Sequence, residues 1–377
     1  MLTWQRTASA GRDREYKLVN LHEIDAERLK NTLAWPQPRP AHGSGVVSQL
    51  LDDTALHDRP LTSSGLHLLS TQLAAPIARA CAAEGIDQVT LIPLGVFADA
   101  PLSAAWALAA SGLPTLPLPS GHGRTATATV DAVGVAPSAR SVRNRTPGTA
   151  ATRHSHLLTV SAHQTAAGPL PWAHAESTAI GRLFPGTATL LRGADATVAA
   201  VLSSIAHASH VHFAGHGAFA HADPMQTYLE CVDGPLTLAD LISAGALTET
   251  RLFIASACSV GAGDTFRTPD QALGLPTVLL DGHGCALVAP IRPVYDIAAA
   301  IFAIRAAELM WSTPTRTPAQ AVWRAQSWLA HTQVGDLVAW GAAHPALHLA
   351  EAFAETDPRL SWLSRPDIWA PFTYFGR

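Results

Sequence analysis

Charged residues are scarce in this chain, and lysine is the scarcest of them. Of 377 residues 14% are charged, the net charge is −4, and the only lysines are Lys17 and Lys30. With 48% apolar residues, such a composition is typical of a globular protein and excludes long disordered regions. The slight negative charge gives no general attraction to nucleic acid or to anionic membranes. We therefore expect neither of them as a partner.

Closely spaced cysteines and long apolar runs are also missing. The four cysteines are too sparse for a disulfide scaffold and lack the spacing of a zinc knuckle. The N-terminus lacks the apolar core of a signal peptide, and the uncharged stretches 100–123 and 196–222 are interrupted by proline, glycine or histidine. These features predict a soluble, reduced, cytoplasmic protein. The cysteines are Cys81, Cys231, Cys258 and Cys285.

Predicted strands alternate with predicted helices from about residue 65 to the end, which indicates an α/β fold with a mostly parallel, open sheet and helices on both faces. One of these helices, 318–332, is expected to place Trp323 and Trp328 in the core. Residues 1–64 carry mixed signals and a proline-rich stretch at 35–40. We interpret them as an N-terminal extension or docking segment, and residues 65–377 as the main domain.

Residues 136–155 lack an apolar period and are predicted to form an exposed loop inside that domain. Two interpretations remain open for this loop, a solvated connection or a trypsin-like cleavage or self-processing site. Its arginines are Arg140, Arg143, Arg145 and Arg153.

Two segments have the same pattern of residues. HVHFAGHG at 210–217 and RLFIASACSVG at 251–261 are short apolar runs of the length of a central parallel strand. Each is followed by small residues and one reactive side chain, His216 or Cys258. In open α/β sheets functional groups lie beyond the carboxyl ends of the strands. Neighbouring strands of this kind would bring imidazole and thiol to one crevice.

A thiol and an imidazole in one crevice are the components of a cysteine peptidase. The imidazole of His216 is suited to act as a base near neutral pH, and the thiol of Cys258 becomes nucleophilic when deprotonated. An oxyanion also needs donors, usually backbone N–H groups. The amides of Gly217 and Cys258 are the natural candidates, because glycine allows a substrate carbonyl to approach closely.

Two alternatives use the same residues. Cysteine is often simply buried, and a separation of 42 residues (258 − 216) fits many patterns. A metal site is the other alternative, but His210 and His212 point to the same side of a strand, and the helical spacing of metal ligands is absent. We favour no metal and no cofactor, with His210 and His212 as sheet residues. The possible zinc ligands are His207, His210, His212, His216, His221 and Cys231.

The pairing of HFAGHG at 212–217 with IASACS at 254–259 resembles the CHAT family of caspase-like cysteine peptidases, relatives of separase and the caspases. Further segments resemble the family in the same order along residues 65–377. They are LIPLG at 91–95 with Pro101 and Leu102, LPWAHAE at 170–176, GADAT at 193–197, PDQALGL at 269–275, LDG at 280–282, PVYD at 293–296 and WAPF at 369–372.

The resemblance implies a caspase-like α/β fold in which His216 is the general base, Cys258 the nucleophile, and the amides of Gly217 and Cys258 the oxyanion hole. Family members are mostly bacterial, act in defence, conflict or cell death, and often cut one dedicated protein after an upstream signal. We therefore expect a protein substrate and an upstream activating sensor protein as partners. The alternatives are a catalytically idle caspase-like scaffold or signalling module and a metal-dependent hydrolase.

Substrate specificity is open at this point. Relatives that cut after arginine have an acidic residue in the S1 pocket, and an apolar S1 pocket is the alternative for this chain. The acidic candidates near the motifs each have an alternative interpretation as a solvated loop residue or a helix cap. They are Asp223, Asp264, Asp270 and Asp296.

Overall fold

A computed structural model gives the fold of most of the chain. Near the N-terminus, strands β1 (Leu2–Gln5) and β2 (Tyr16–Val19) form an antiparallel pair, and the other residues of the predicted docking segment before Ser63 lie outside the described ranges. The residues that the structure describes are 2–5, 16–19, 63–83, 85–86, 88–94, 97–112, 132–143, 150–263, 273–313, 316–362 and 365–376.

An eight-stranded sheet forms the centre of the domain. Its neighbouring strands all pair in parallel except β14 (Ala286–Pro290) and β15 (Phe372–Phe375), so the predicted open, mostly parallel sheet is confirmed. In spatial order the strands are β3 (Gln88–Leu91), β4 (Ala132–Val135), β15 (Phe372–Phe375), β14 (Ala286–Pro290), β13 (Leu252–Ser256), β9 (His210–Ala214), β5 (His156–Ser161) and β8 (Thr187–Arg192).

The antiparallel joint between β14 and β15 divides the sheet by direction. Strands β14, β13, β9, β5 and β8 run one way, so their carboxyl ends meet at one edge. Strands β15, β4 and β3 run the other way. Side-by-side loops after β9 and β13 are therefore at the same edge, as the sequence motifs predict.

Helices cover both faces of the sheet, because successive side chains of each strand point in opposite directions. Leu157 and Leu252 point to the core under the larger helices, whereas Leu158 and Phe253 point to the core under the smaller ones. The larger helices are α3 (Leu102–Gly112), α5 (Ala173–Leu183), α9 (Asp296–Trp311) and α10 (Pro318–His331), and the smaller ones are α6 (Val198–Ile205), α7 (Leu238–Ser243) and α8 (Leu275–Thr277).

Short elements complete the described fold. Helical turns continue from Ser63 to Ala83, and Gly85 follows them at φ +69, the left-handed conformation typical of a C-cap glycine. The remaining helices are α1 (Ser63–Leu69), α2 (Ala75–Ala83), α4 (Ala139–Arg143), α11 (Val334–Gly341), α12 (Leu349–Ala352) and α13 (Pro366–Trp369), with π-helical turns at Ser70–Ala74 and Val278–Gly282. The small strands are β6 (Gln164–Thr165), β7 (Gly168–Pro169), β10 (Gly217–Ala218), β11 (Tyr228–Cys231) and β12 (Gly234–Thr237).

The prediction of a loop throughout 136–155 is wrong at its start, where α4 lies. The hydroxyl of Ser138 accepts a hydrogen bond from the Ser141 amide at 3.1 Å, which caps the first turn of this helix. Both serine hydroxyls also donate to Asp281, which ties α4 to the π-helical turn. Arg140 and Arg153 are exposed, and Arg145 lies outside the described residues.

The terminal strand β15 is fixed to α9 by two aromatic rings. Phe302 and Phe372 are fully buried and stack with their centroids 3.9 Å apart and their planes 16° apart. Since β15 also forms the antiparallel joint with β14, this stack holds the joint against the helical layer.

Replacing Phe302 tests that role. We expect Phe302→Ala to lower the free energy of unfolding by about 3–5 kcal/mol, because it removes buried contacts and leaves a cavity. Phe302→Leu keeps most of the volume and should cost less than half as much. Urea unfolding followed by circular dichroism measures both, and a cost for the alanine variant no larger than that of a surface substitution would contradict this account of the packing.

Candidate active site

The register in which β9 pairs with β13 determines where His216 and Cys258 lie. These parallel strands pair up to Ala214 and Ser256, and His216 and Cys258 each follow two residues later. The amide of Gly215 donates to the carbonyl of Ser256 at 3.2 Å and extends the pairing beyond the strands. The two candidate residues therefore leave the sheet at equivalent positions of adjacent strands.

Gly217 allows the loop after β9 to lie directly against the loop after β13. A Cβ atom at this position would stand 2.8 Å from Cγ1 of Val260, 2.9 Å from the carbonyl oxygen of Tyr228 and 3.0 Å from Cβ of Ala257. One of these neighbours is backbone and cannot easily move. Only glycine fits here without displacing the residue that precedes Cys258.

The turn that carries Cys258 is held in a strained conformation. Ser259 has φ +57, a left-handed value that costs a residue with a side chain about 1 kcal/mol or more. The amides of Ser259 and Gly261 donate to the carbonyls of Arg292 (3.4 Å) and Pro290 (3.0 Å) at the end of β14. These bonds fix the turn to a third strand of the sheet.

Cys258 as a residue is partly exposed, whereas its thiol is turned inward and neutral. Burial raises its pKa, a hydrogen bond with the backbone of Val294 opposes the increase, and the charge of Asp296 adds to it. Sγ also lies 3.7 Å from the carbonyl oxygen of Val294, to which the neutral thiol can donate. A stable thiolate is therefore disfavoured. Nucleophilic attack from this thiol needs a base to take its proton.

The imidazole of His216 has one nitrogen already engaged. Nε2 lies 3.1 Å from the carbonyl oxygen of Gly168, in the hairpin of β6 and β7. A carbonyl can only accept, so Nε2 must be the protonated nitrogen. In the neutral ring, Nδ1 then carries the lone pair and is the basic atom.

The charge of Asp296, the first residue of α9, acts on the thiol of Cys258. Its Oδ2 accepts a hydrogen bond from the amide of Trp172 at 3.0 Å. Burial raises the pKa of this carboxyl to about 7, the hydrogen bond from Trp172 opposes the increase, and the charge of Glu176 adds to it. The group is therefore divided between its protonated and charged forms near neutral pH.

A buried hydrogen-bonded pair connects β9 with α5. Nε2 of His212, on β9, is 2.8 Å from Oε1 of Glu176, on α5, and both side chains are at most 1% exposed. The pair joins the strand that leads to His216 with the helix that follows Trp172. Because both partners are fully buried, loss of either would leave a costly polar group unpaired.

Comparison with known proteins identifies the family. The family model of the CHAT domain matches residues 64–377. The chain belongs to the CHAT domain family. This confirms the resemblance inferred from the motifs.

Solved structures resemble this CHAT domain only distantly. The crystal structure of the Arg-specific cysteine proteinase gingipain R is 12% identical, with a TM-score of 0.43, and the match covers 84% of this chain and 67% of that one. A complex of the Porphyromonas gingivalis RgpB pro- and mature domains is 11% identical, with a TM-score of 0.42, and covers 93% and 75%. No curated protein matches the chain. Likenesses this weak carry no information about activity.

The structure separates the four acidic candidates for the S1 pocket. Asp296 is the one near Cys258. Asp223 is exposed and its carboxylate accepts from the amide of Met225 at 3.0 Å, so it caps a short helical turn, as in the alternative interpretation. Asp264 and Asp270 lie outside the described residues.

The histidines considered as zinc ligands have other roles where they are buried. His212 pairs with Glu176, and Nδ1 of His210 lies 2.9 Å from the hydroxyl of Ser209. Both lie in β9, which confirms them as sheet residues. Among the described residues, no three histidine, cysteine, aspartate or glutamate side chains are placed to hold a metal ion.

The other cysteines of this CHAT domain differ from Cys258. Cys81, Cys231 and Cys285 are fully buried, and burial raises their pKa values, to about 11 for Cys81 and about 12 for Cys231. A raised pKa and lack of access make a thiol inert. Within the described ranges, Cys258 is thus the cysteine that is not fully buried. No helix described in the structure is long and apolar enough to cross a membrane.

Two groups at this site could not be identified from sequence. The carbonyl oxygens of Gly168 and Val294 bind the imidazole and the thiol, and backbone groups have no residue signature. The partners Glu176 and His212 both lie in the motifs quoted for the family, but their pairing across the core has no local signal.

The raised pKa of Asp296 predicts a pH-dependent stability. The folded state holds the proton more tightly (about 7) than the unfolded state (3.8), so the resulting stability is complete below about pH 4 and is lost as the pH rises through about 7. Asp296→Asn has no charge to bury. We expect its stability relative to wild type to increase between about pH 4 and pH 8, by up to about 1.4 kcal/mol per unit of pKa difference.

Urea unfolding of both proteins across this pH range measures the difference. The exposed Glu355 gives a matched control, since Glu355→Gln should leave the pH dependence of stability unchanged. A difference between wild type and Asp296→Asn that stays constant with pH would show that Asp296 is not a buried titrating carboxyl.

Proposed function

We propose that this CHAT domain is a cysteine endopeptidase in which Cys258 is the nucleophile and His216 the general base. The observation that carries the proposal is the pairing register of β9 and β13. It puts the two residues at equivalent positions after the ends of adjacent strands. The contact of Gly217 with Ala257 supports it, because the two loops touch directly.

The hydrogen bonds suggest how the thiol is activated. With Nε2 of His216 held by Gly168, Nδ1 takes the proton of the Cys258 thiol after that thiol turns away from Val294. The sulfur then attacks the peptide carbonyl carbon, and a C–S bond forms. Because the pKa of the thiol is raised, proton transfer accompanies attack and does not precede it as a stable ion pair.

The remaining steps use backbone donors and water. The amides of Gly217 and Cys258 stabilise the oxyanion of the tetrahedral intermediate. The C–N bond breaks as the imidazolium of His216 returns its proton to the leaving amine. Water, deprotonated by the same imidazole, then hydrolyses the thioester and restores the thiol.

The substrate of such an endopeptidase is a protein, as the family resemblance implies. The family resemblance alone suggests a dedicated partner and an upstream activating protein. It is also the only basis for a place in bacterial defence, conflict or cell death. They stay predictions. The alternative of an idle caspase-like scaffold is decided by the experiment that follows.

Covalent labelling with a peptidyl acyloxymethyl ketone tests the pair. This reagent alkylates an activated thiol, so we expect wild type to gain the mass of the label. Cys258→Ala should not be labelled, and His216→Ala should be labelled at least about a hundredfold more slowly, since general base catalysis contributes about 10²–10⁴. Intact-mass spectrometry measures the yield.

Cys231→Ala is the matched control, because it removes a buried thiol outside the crevice, and it should be labelled at the wild-type rate. Labelling of Cys258→Ala would assign the reactive thiol elsewhere. If purified wild type stays unlabelled while its fold is intact, and remains so after candidate partners are added, the scaffold is the correct description.

We further propose that the S1 pocket prefers a basic residue and that Asp296 provides its charge. Asp296 is the described acidic candidate whose charge reaches Cys258. A guanidinium beside this carboxyl would favour its charged form and lower its pKa from about 7. Binding of a basic side chain would thus pair the charge of Asp296 and remove the free-energy cost of burying that charge alone.

Reporter peptides that differ only at P1 test this specificity. Wild type should cleave the arginyl peptide faster than the leucyl peptide, and Asp296→Asn should reduce kcat/KM for the arginyl peptide by at least about tenfold, because a charge-assisted hydrogen bond contributes about 1.5–3 kcal/mol. The leucyl peptide serves as the control and should change little. The opposite ranking in wild type would rule out a basic P1 preference without affecting the assignment of Cys258 and His216.

A further inference from the structure

A groove on the outer surface, between α9 and α10, is unlike the rest of this slightly acidic protein. It is wide open to solvent and has a volume of about 490 Å³. The sequence pattern predicts that Trp323 and Trp328 are core residues, but the structure leaves both only partly buried at this groove. The lining residues are Arg305, Leu309, Trp323, Arg324, Ser327, Trp328 and His331.

The groove has uncompensated positive charge. Burial lowers the pKa of Arg316, and the charges of Arg324 and Arg305 lower it further. The nearby carboxylate of Glu308 is already shared among Arg305 (2.8 Å), the indole N–H of Trp340 (3.1 Å) and His344 (2.7 Å). The exposed Arg324 pairs with no carboxylate in the described part of the chain. The groove therefore favours an anionic occupant.

The indole faces in the groove are already covered. The guanidinium of Arg305 lies 5.0 Å from the ring centroid of Trp328, and that of Arg324 lies 5.4 Å from the ring of Trp323. Trp340 packs against Trp328 from another side, at 5.2 Å. Nucleic-acid bases bind by stacking on free aromatic faces, so this arrangement is poorly suited to them. A ligand in the groove can therefore contact the guanidinium N–H groups and the apolar edges of the rings.

We propose that this groove binds an acidic segment of a protein partner. Carboxylates of the segment would bridge Arg324 and Arg305, and a neighbouring apolar side chain would pack on Leu309 and the edge of Trp323. Tryptophan and arginine are the residues most enriched in the energetic centres of protein interfaces. A guanidinium binds a carboxylate with paired hydrogen bonds, which suits a peptide ligand.

The groove is separate from the crevice of Cys258. Arg305 follows Asp296 by nine residues along α9 (305 − 296), a rise of about 13 Å at 1.5 Å per residue. Binding here leaves the crevice open. The proposal therefore does not depend on peptidase activity, and its test needs no substrate.

Fluorescence anisotropy with a labelled peptide of alternating glutamate and leucine, added to the full chain, tests the proposal. We expect saturable binding, and at least about a tenfold weaker affinity for Arg324→Glu because charge reversal opposes the carboxylates. Arg324 is exposed, so this variant should fold normally. Arg192→Glu is the matched control, since Arg192 is exposed on β8, at the sheet edge opposite β3, and should bind as wild type does.

Three further binding measurements distinguish the possible ligands of the groove. The same peptide with glutamine in place of glutamate should not bind, and inorganic phosphate and single-stranded oligouridylate should not compete at equal charge concentration. Competition by oligouridylate would assign the groove to nucleic acid, and competition by phosphate would reduce it to a general anion site. A dimer of the chain that Arg324→Glu dissociates would assign it to a second copy. Each of these results, or equal binding by Arg324→Glu and wild type, overturns the proposal.

Discussion

The parallel pairing of β9 with β13 is the constraint on which the candidate site depends. Two strands with matched ends place the residues that follow them at matched positions, so His216 and Cys258 need no long-range adjustment to become neighbours. Backbone hydrogen bonds, whose lengths vary little, set the relative positions of the two strand ends. Gly217 and the left-handed Ser259 then shape the two loops within that frame.

Polar groups buried around the strand ends make this part of the core specific. The pair of Glu176 with His212 joins α5 to β9, and Asp296 joins α9 to the segment before α5 through the amide of Trp172. Each bond satisfies a group that would be costly to bury alone. Because the charge of Glu176 also acts on Asp296, the supporting layer and the crevice are electrostatically coupled.

Sequence patterns predicted the strands that carry His216 and Cys258 because apolar runs bounded by small residues have few alternative structures. They failed where contacts between distant segments decide. The helix at 139–143 forms because Ser138 caps it and Asp281 holds it, and Trp323 and Trp328 line a groove although their helical spacing suggests a core. The carbonyls of Gly168 and Val294 have no side-chain signature.

The reversal of strand direction at β14 and β15 has an evolutionary consequence. Five strands deliver their following loops to the edge with the crevice, whereas β15, β4 and β3 deliver theirs to the opposite edge. Loops tolerate insertion and substitution far better than paired strands do. The edge that carries His216 and Cys258 can therefore diversify in what it recognises while the hydrogen-bonded strands keep both residues in place, and the other edge can acquire unrelated attachments without disturbing either.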